Sequence, residues 1–233
     1  MSEMSARPPR ALRMSYIVAS VCGVGFFAMS VLLLGVWPGA VLEEQTRAMS
    51  PAHPLDLSPS ERRGREIYSR EGCAYCHTQQ VRYLHSDIAR FGAPTLAWET
   101  RFDYPHLWGT RRIGPDLARE GGVRPSLWHL RHFEDPRATS PGSVMPRYSH
   151  LLSDDIPWNV IQKRVDVMAM LGVPYDAQAL ASAASLAQHQ AETYAKQLAA
   201  EGGPTGMEDK EVIALIAYVQ RLGVDIRLQG GSK

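Results

Sequence analysis

Between Met14 and Val36 the chain runs for 23 residues without a charge, passing through Phe26-Phe27 and Val31-Leu32-Leu33-Leu34. As a helix that stretch reaches roughly 34 Å, enough to cross a hydrocarbon layer of about 30 Å. No water is available there to satisfy backbone N–H and C=O groups, so helix is the only open-ended conformation that fits. The run therefore splits the chain into a membrane segment and whatever follows it. A cleaved leader is the rival reading, since Arg7, Arg10 and Arg13 precede the run. The run is too long for that, and Pro38-Gly39-Ala40 makes a poor cleavage site.

The three arginines, set against Glu43-Glu44 beyond the span, place the N-terminus in the cytoplasm by the positive-inside rule. Everything after Trp37 then lies outside. Trp37 fits an interfacial anchor, and Cys22, with no second thiol or histidine nearby, reads as a small packing residue. The expected organisation is residues 1–13 cytoplasmic, 14–36 spanning, 37–57 an irregular tether containing Pro38, Pro51 and Pro54, 58–223 a folded domain and 224–233 a tail. With 25 basic and 24 acidic residues the net charge is +1, so no global field draws the chain to nucleic acid.

Ser58-Pro59-Ser60-Glu61 is a capping box with proline at the first helical position, which predicts a helix over 59–70. Further helices are expected over 154–171, stopped by Gly172 and Pro174; over the alanine-rich 176–200; and after a second capping box at Thr205-Gly206-Met207-Glu208, ending before Gly223. Residues 77–152 are rich in Gly and Pro and predict loops with short helical turns.

The first of these helices delivers the chain to Cys73-Ala74-Tyr75-Cys76-His77. Two thiols three apart can each add to one of the two vinyl groups on a porphyrin edge, and the adjacent imidazole then reaches the iron from the same side. A thioredoxin-like pair needs no histidine, and a zinc site lacks further cysteine ligands at metal spacing. One covalently bound c-type haem with His77 as iron ligand is therefore expected. For the sixth ligand, Met145 stands in a loop stiffened by Pro141 and Pro146. Met168 and Met170 are expected in helix packing, and His85, His106, His129, His132 and His150 are the alternative ligands. Methionine ligation would make the iron an electron carrier rather than a catalyst, so no catalytic residue is assigned.

Gly64-Arg65-Glu66-Ile67-Tyr68, Phe102-Asp103-Tyr104-Pro105, Leu107 to Leu117, Trp128-His129, Asp135-Pro136-Arg137, Met145-Pro146-Arg147-Tyr148 and Leu171 to Tyr175 resemble, in order, the mono-haem c subunit (subunit II) of cbb3-type cytochrome c oxidases. The resemblance implies an all-α chain: a single N-terminal transmembrane helix and a mono-haem cytochrome c-type domain with a loop-rich middle and extra C-terminal helices. It also implies that the Pro115 carbonyl faces the ligand histidine, which would fix the imidazole tautomer, and that Leu117 packs on the ring. Arg111, Arg112 and Arg137 are candidates for the haem propionates because guanidinium pairs with carboxylate in a bidentate way; solvated arginines are the alternative. The partners so implied are a catalytic haem-copper oxidase subunit and a di-haem c subunit. The setting implied is the bacterial inner membrane with the haem domain periplasmic, and the function is relay of single electrons to the catalytic subunit in aerobic respiration. A free-standing membrane-tethered shuttle, favoured by the Pro-containing tether, is the alternative.

Overall fold

In the computed structural model, which describes residues 9–49, 57–109 and 111–230, the uncharged run is helical throughout. Helix α1 spans Arg10–Val31, a π-helical turn covers Leu32–Val36, and α2 continues from Trp37 to Met49. Together they make one helix of 40 residues, long and apolar enough to cross a membrane, and α1 has no buried residue. Two of its hydroxyls bond within the helix, Ser15 donating to the Ala11 carbonyl at 3.1 Å and Ser30 to the Phe26 carbonyl at 2.8 Å, which suits a lipid setting.

Helix therefore occupies 37–49, where an irregular tether was expected; Pro51, Pro54 and the rest of 50–56 lie outside the described residues, as does Arg7. Pro38 explains both the expectation and its failure. Proline has no N–H to offer the carbonyl four residues back. The π turn just before it, in which the Trp37 N–H reaches back to the Leu32 carbonyl, shifts the hydrogen-bond register and absorbs the missing donor without breaking the helix.

The described residues from 57 to 230 form a second compact unit. It contains α3 (Pro59–Arg70), α4 (His85–Phe91), α5 (Ser126–Glu134), α6 (Pro136–Thr139), α7 (Ile161–Met170), α8 (Ala177–Ala200), α9 (Glu211–Arg221) and α10 (Val224–Gly230), and no strand forms among the described residues. The capping box at Ser58 is realised: its side chain accepts from the Glu61 N–H while Glu61 accepts from the Ser58 N–H at 2.8 Å.

The centre of the unit is the crossing of α3 and α9. Every residue of α9 from Glu211 to Val219 is buried, as expected for a helix apolar on most sides. Gly64 makes the crossing possible, because a Cβ there would lie 1.9 Å from the Ala214 carbonyl oxygen. Tyr68 and Tyr218 meet edge to face at 5.5 Å. Arg63 (2.6 Å) and Arg70 converge on buried Glu211.

Helix α8 presents Ala179, Ala183, Ala187, Ala191 and Ala195 at four-residue spacing, all buried, so small side chains let it lie close against its neighbours. It kinks at Ser182. Gln162 holds the break, accepting from the Ala183 N–H and donating to the Leu180 carbonyl, both at 2.8 Å.

Two helix starts differ from expectation for one shared reason. The segments 154–156 and 209–211 pair with each other: the Ile156 N–H donates to Asp209 at 2.7 Å and the Glu211 N–H to Asp154 at 2.9 Å. That pairing delays α7 to Ile161, behind a short 3₁₀ turn at Trp158–Val160, and delays α9 to Glu211. Met207 is buried in the core instead of opening a helix. Met170, expected in packing, is 78% exposed.

Candidate haem site

Helix α3 ends at Arg70, and Gly72, with φ 74°, turns the chain into a 3₁₀ turn over Cys73–Tyr75. A left-handed backbone is open to glycine at little cost, and it sets both cysteines and His77 on one turn, with the His77 N–H donating to the Cys73 carbonyl at 2.9 Å. The cysteines are not joined to each other. Burial pushes the free Cys73 thiol up to about 12, with the negative charge of Glu71 adding to the effect.

Residues 111–118 lie alongside this turn. The Gly114 N–H donates to the Cys76 carbonyl at 3.1 Å and the Leu117 N–H to the Thr78 carbonyl at 2.9 Å. His77 Nδ1 is 2.9 Å from the Pro115 carbonyl oxygen. A carbonyl only accepts, so Nδ1 carries the proton and Nε2 keeps a free lone pair. Burial pushes the His77 pKa down, against the opposing pull of that carbonyl, which also favours the neutral, ligating form. The ring lies so close to the backbone that a Cβ at Gly114 would come within 2.2 Å of Cε1 and 2.7 Å of Nε2.

The segment carrying Pro115 is itself fixed by a buried polar knot. Asp116 accepts from the Thr78 hydroxyl, and from the Gln80 N–H at 3.0 Å. Arg112 donates to Thr78 at 2.9 Å, to Asp87 at 2.7 Å and to the Gln80 carbonyl at 2.9 Å. The guanidiniums of Arg82 and Arg112 together hold the Asp87 carboxyl well below its usual range. Sequence alone offers no signal for Thr78, Asp87 and Asp116 as a unit, because they are local in space and not in spacing.

A cavity of about 420 Å³ opens beside the turn, within the size range of cofactor sites. Cys73, Cys76, His77, Pro115 and Leu117 line one part of it, and α5 contributes Trp128, His129, His132 and Phe133. The loop from Ser140 to Pro146 completes the wall and brings Met145, half-buried against the core, to the same cavity. This loop is tied down by the Tyr148 N–H, which donates to the Phe133 carbonyl at 2.8 Å, and by an ion pair of Arg147 with Asp135.

Arg111, Arg112 and Arg137 are the three arginines expected near the propionates. Arg112 is committed to the knot, Arg111 and Arg137 are exposed, and none of the three lines the cavity. Arg124 does line it; its guanidinium pairs with Glu120 at 2.5 Å and sits 4.4 Å over the Trp128 ring. Of the alternative histidine ligands, His129 and His132 reach the cavity, whereas His106 stacks on Trp108 at 4.4 Å, His150 bonds Glu71 at 3.1 Å and His85 stands at the start of α4.

The donor set suits an iron porphyrin. Two separate thiols, an imidazole with its Nε2 lone pair free and a thioether share one largely apolar cavity, and the buried Nε2 of His129 in its wall has no hydrogen-bond partner in the protein. Such an orphaned buried polar atom needs a partner from what fills the space.

A search among curated proteins returns no match. A family described as cytochrome c oxidase, mono-heme subunit/FixO matches residues 13–226, which takes in the spanning helix, the Cys-x-x-Cys-His turn and every helix that walls the cavity. The chain belongs to that family, the mono-haem subunits of cytochrome c oxidase.

Proposed function

We propose that this chain relays single electrons toward the catalytic subunit of a cbb3-type oxidase through one haem, covalently held by Cys73 and Cys76 and ligated by His77 and Met145. Family membership makes it a membrane-anchored, haem-bearing oxidase subunit; attachment chemistry, ligand set and direction of transfer are our reading. The observation that supports it most is that the Nδ1 of His77 is capped by Pro115 at 2.9 Å while the thioether of Met145 lines the same cavity.

A haem in such a site takes up and gives back one electron at a time. The protein's part is to hold and orient. Each cysteine thiol would add across one vinyl group, sulfur to one carbon and proton to the other, so attachment releases nothing. Pro115 fixes the His77 tautomer, Gly114 gives the ring its place, and Phe133, Leu117 and Val219 keep water from that part of the site. Arg10 and Arg13 ahead of the span, and Glu43 and Glu44 after it, support a cytoplasmic N-terminus and a periplasmic haem domain at the bacterial inner membrane. The partners are a catalytic haem-copper subunit and a di-haem c subunit. The free-shuttle alternative drew on a tether over 37–57, most of which is helix.

Peroxidase staining of a denaturing gel tests attachment: the chain matured in a haem-c-competent host should stain, and Cys73→Ala/Cys76→Ala should not. Mild detergent should extract the stained chain within an oxygen-consuming complex, and Met145→Ala should lower the reduction potential. A colourless wild-type band refutes the haem, and recovery of a stained but solitary chain refutes the relay.

A further inference from the structure

Three of the arginines that chemistry would nominate for the carboxylates of a porphyrin do not line the cavity, and Arg124, which does, already serves Glu120. Two side chains of that wall carry a buried polar atom without a partner among the described residues, Tyr68 through its hydroxyl and His129 through Nε2, and His129 is the one on α5. His129 lies on α5 with a side chain only 3% exposed, and its Nε2 is buried without a hydrogen-bond partner. The nearest carboxylate oxygen, Oε1 of Glu120, is 3.8 Å away and already accepts from Arg124 at 2.5 Å. That separation is beyond hydrogen-bond range. Aromatic rings take up other sides of the imidazole: Trp128 edge-on at 5.3 Å and Phe133 at 6.2 Å. A buried ring nitrogen in such surroundings is costly unless something in the cavity pairs with it.

We infer that His129, through Nε2–H, donates a hydrogen bond to one propionate of the bound haem and so positions the ring against α5. The inference rests on the reading of the cavity as a haem site. Burial pushes the imidazole pKa down to about 4, with Arg124 and His132 adding their positive charge, which favours the neutral ring, whose single proton can sit on Nε2. A neutral donor suits this wall better than another cation, because the Arg124–Glu120 pair beside it is already balanced in charge. Drawing electron density from a propionate disfavours the oxidised iron, so the bond raises the reduction potential.

The test uses the full-length chain, matured with haem carrying ¹³C-labelled propionates and purified in detergent. His129→Leu should shift a labelled carboxylate band in the redox-difference infrared spectrum and lower the potential, and His129→Gln, which keeps a donor, should restore both toward wild type. Wild-type bands and potential in His129→Leu overturn the inference, since a residue that merely packs would leave the label unmoved. In the reduced wild type with ¹⁵N-labelled histidines, Nε2 of His129 should carry the proton; a bare Nε2, or one bound to iron, overturns the inference whether or not the variants fold. Loss of all haem stain from the wild type would instead refute the haem reading itself.

Discussion

Replacing Gly114 with alanine places a methyl carbon 2.2 Å from Cε1 of His77 and 2.7 Å from both ring nitrogens. Ordinary contact begins near 3.4 Å, so the imidazole must retreat by about 1.2 Å. The Nδ1 to Pro115 hydrogen bond, now 2.9 Å, does not survive a shift of that size, and its loss costs about 0.5–1.5 kcal/mol. An imidazole pushed off its rotamer costs a further ~0.5–1.5 kcal/mol. Alanine restricts the unfolded chain more than glycine does, which offsets about 0.4–1 kcal/mol. The net destabilisation is then about 1–2 kcal/mol, which for a domain of this size lowers Tm by about 2–8 °C.

The clash also touches Nε2, the nitrogen that would meet the iron. Gly114→Ala should therefore melt earlier and bind the haem iron with an altered visible spectrum, even where the thioether bonds still form. Thermal melting followed by circular dichroism, together with absorption spectra of the reduced and oxidised protein, reads both effects. A variant that melts within about 1 °C of wild type with an unchanged spectrum would refute the claim that glycine at this position exists to seat His77.

Gly64→Ala should destabilise the domain by about 1–3 kcal/mol in denaturant titration, because the new Cβ meets the Ala214 carbonyl at 1.9 Å and Tyr218 Cβ at 2.7 Å and only movement of a helix can relieve it; unchanged stability would mean that α3 and α9 are not in van der Waals register. Glu211 gives a pH dependence: burial raises its pKa, but the bonds from Arg70 and Arg63 outweigh burial and leave it below 4.5. A depressed carboxyl contributes stability that is present above its unfolded pKa and lost as pH falls through the folded value. Wild type should thus lose Tm more steeply than Glu211→Gln below about pH 4.5, and parallel profiles would count against the paired arginines.

The α3 helix was legible to the residue, because Ser58, Pro59 and Glu61 are local signals for a local event. The alanine-rich helix was legible to within one residue, starting at Ala177 behind Asp176 as its N-cap, though nothing local announced the kink at Ser182. Where local signals misled, tertiary pairing was the cause. The capping-box pattern at Thr205 is present in sequence, yet backbone pairing between 154–156 and 209–211 moves the helix start to Glu211. Pro38 likewise looks like a breaker until one sees the π turn that makes room for it.

The same division runs through the site. Cys73, Cys76 and His77 are adjacent in sequence because a single turn must present all three, so the motif can be read directly. Residues that act on the site from a distance leave no such trace. Arg112 looks as available for a carboxylate ligand as any exposed arginine, and what removes it is Asp87, 25 positions earlier. His129 looks like any helical histidine, and what singles it out is a missing partner, a property that exists only once its neighbours are in place. Charge complementarity to the cofactor is therefore set by which donors the fold has already used, and composition cannot count those. On this argument the residues that tune the iron should be sought among buried polar atoms left unpaired on the cavity wall, which among the described residues are His129 Nε2 and the Tyr68 hydroxyl.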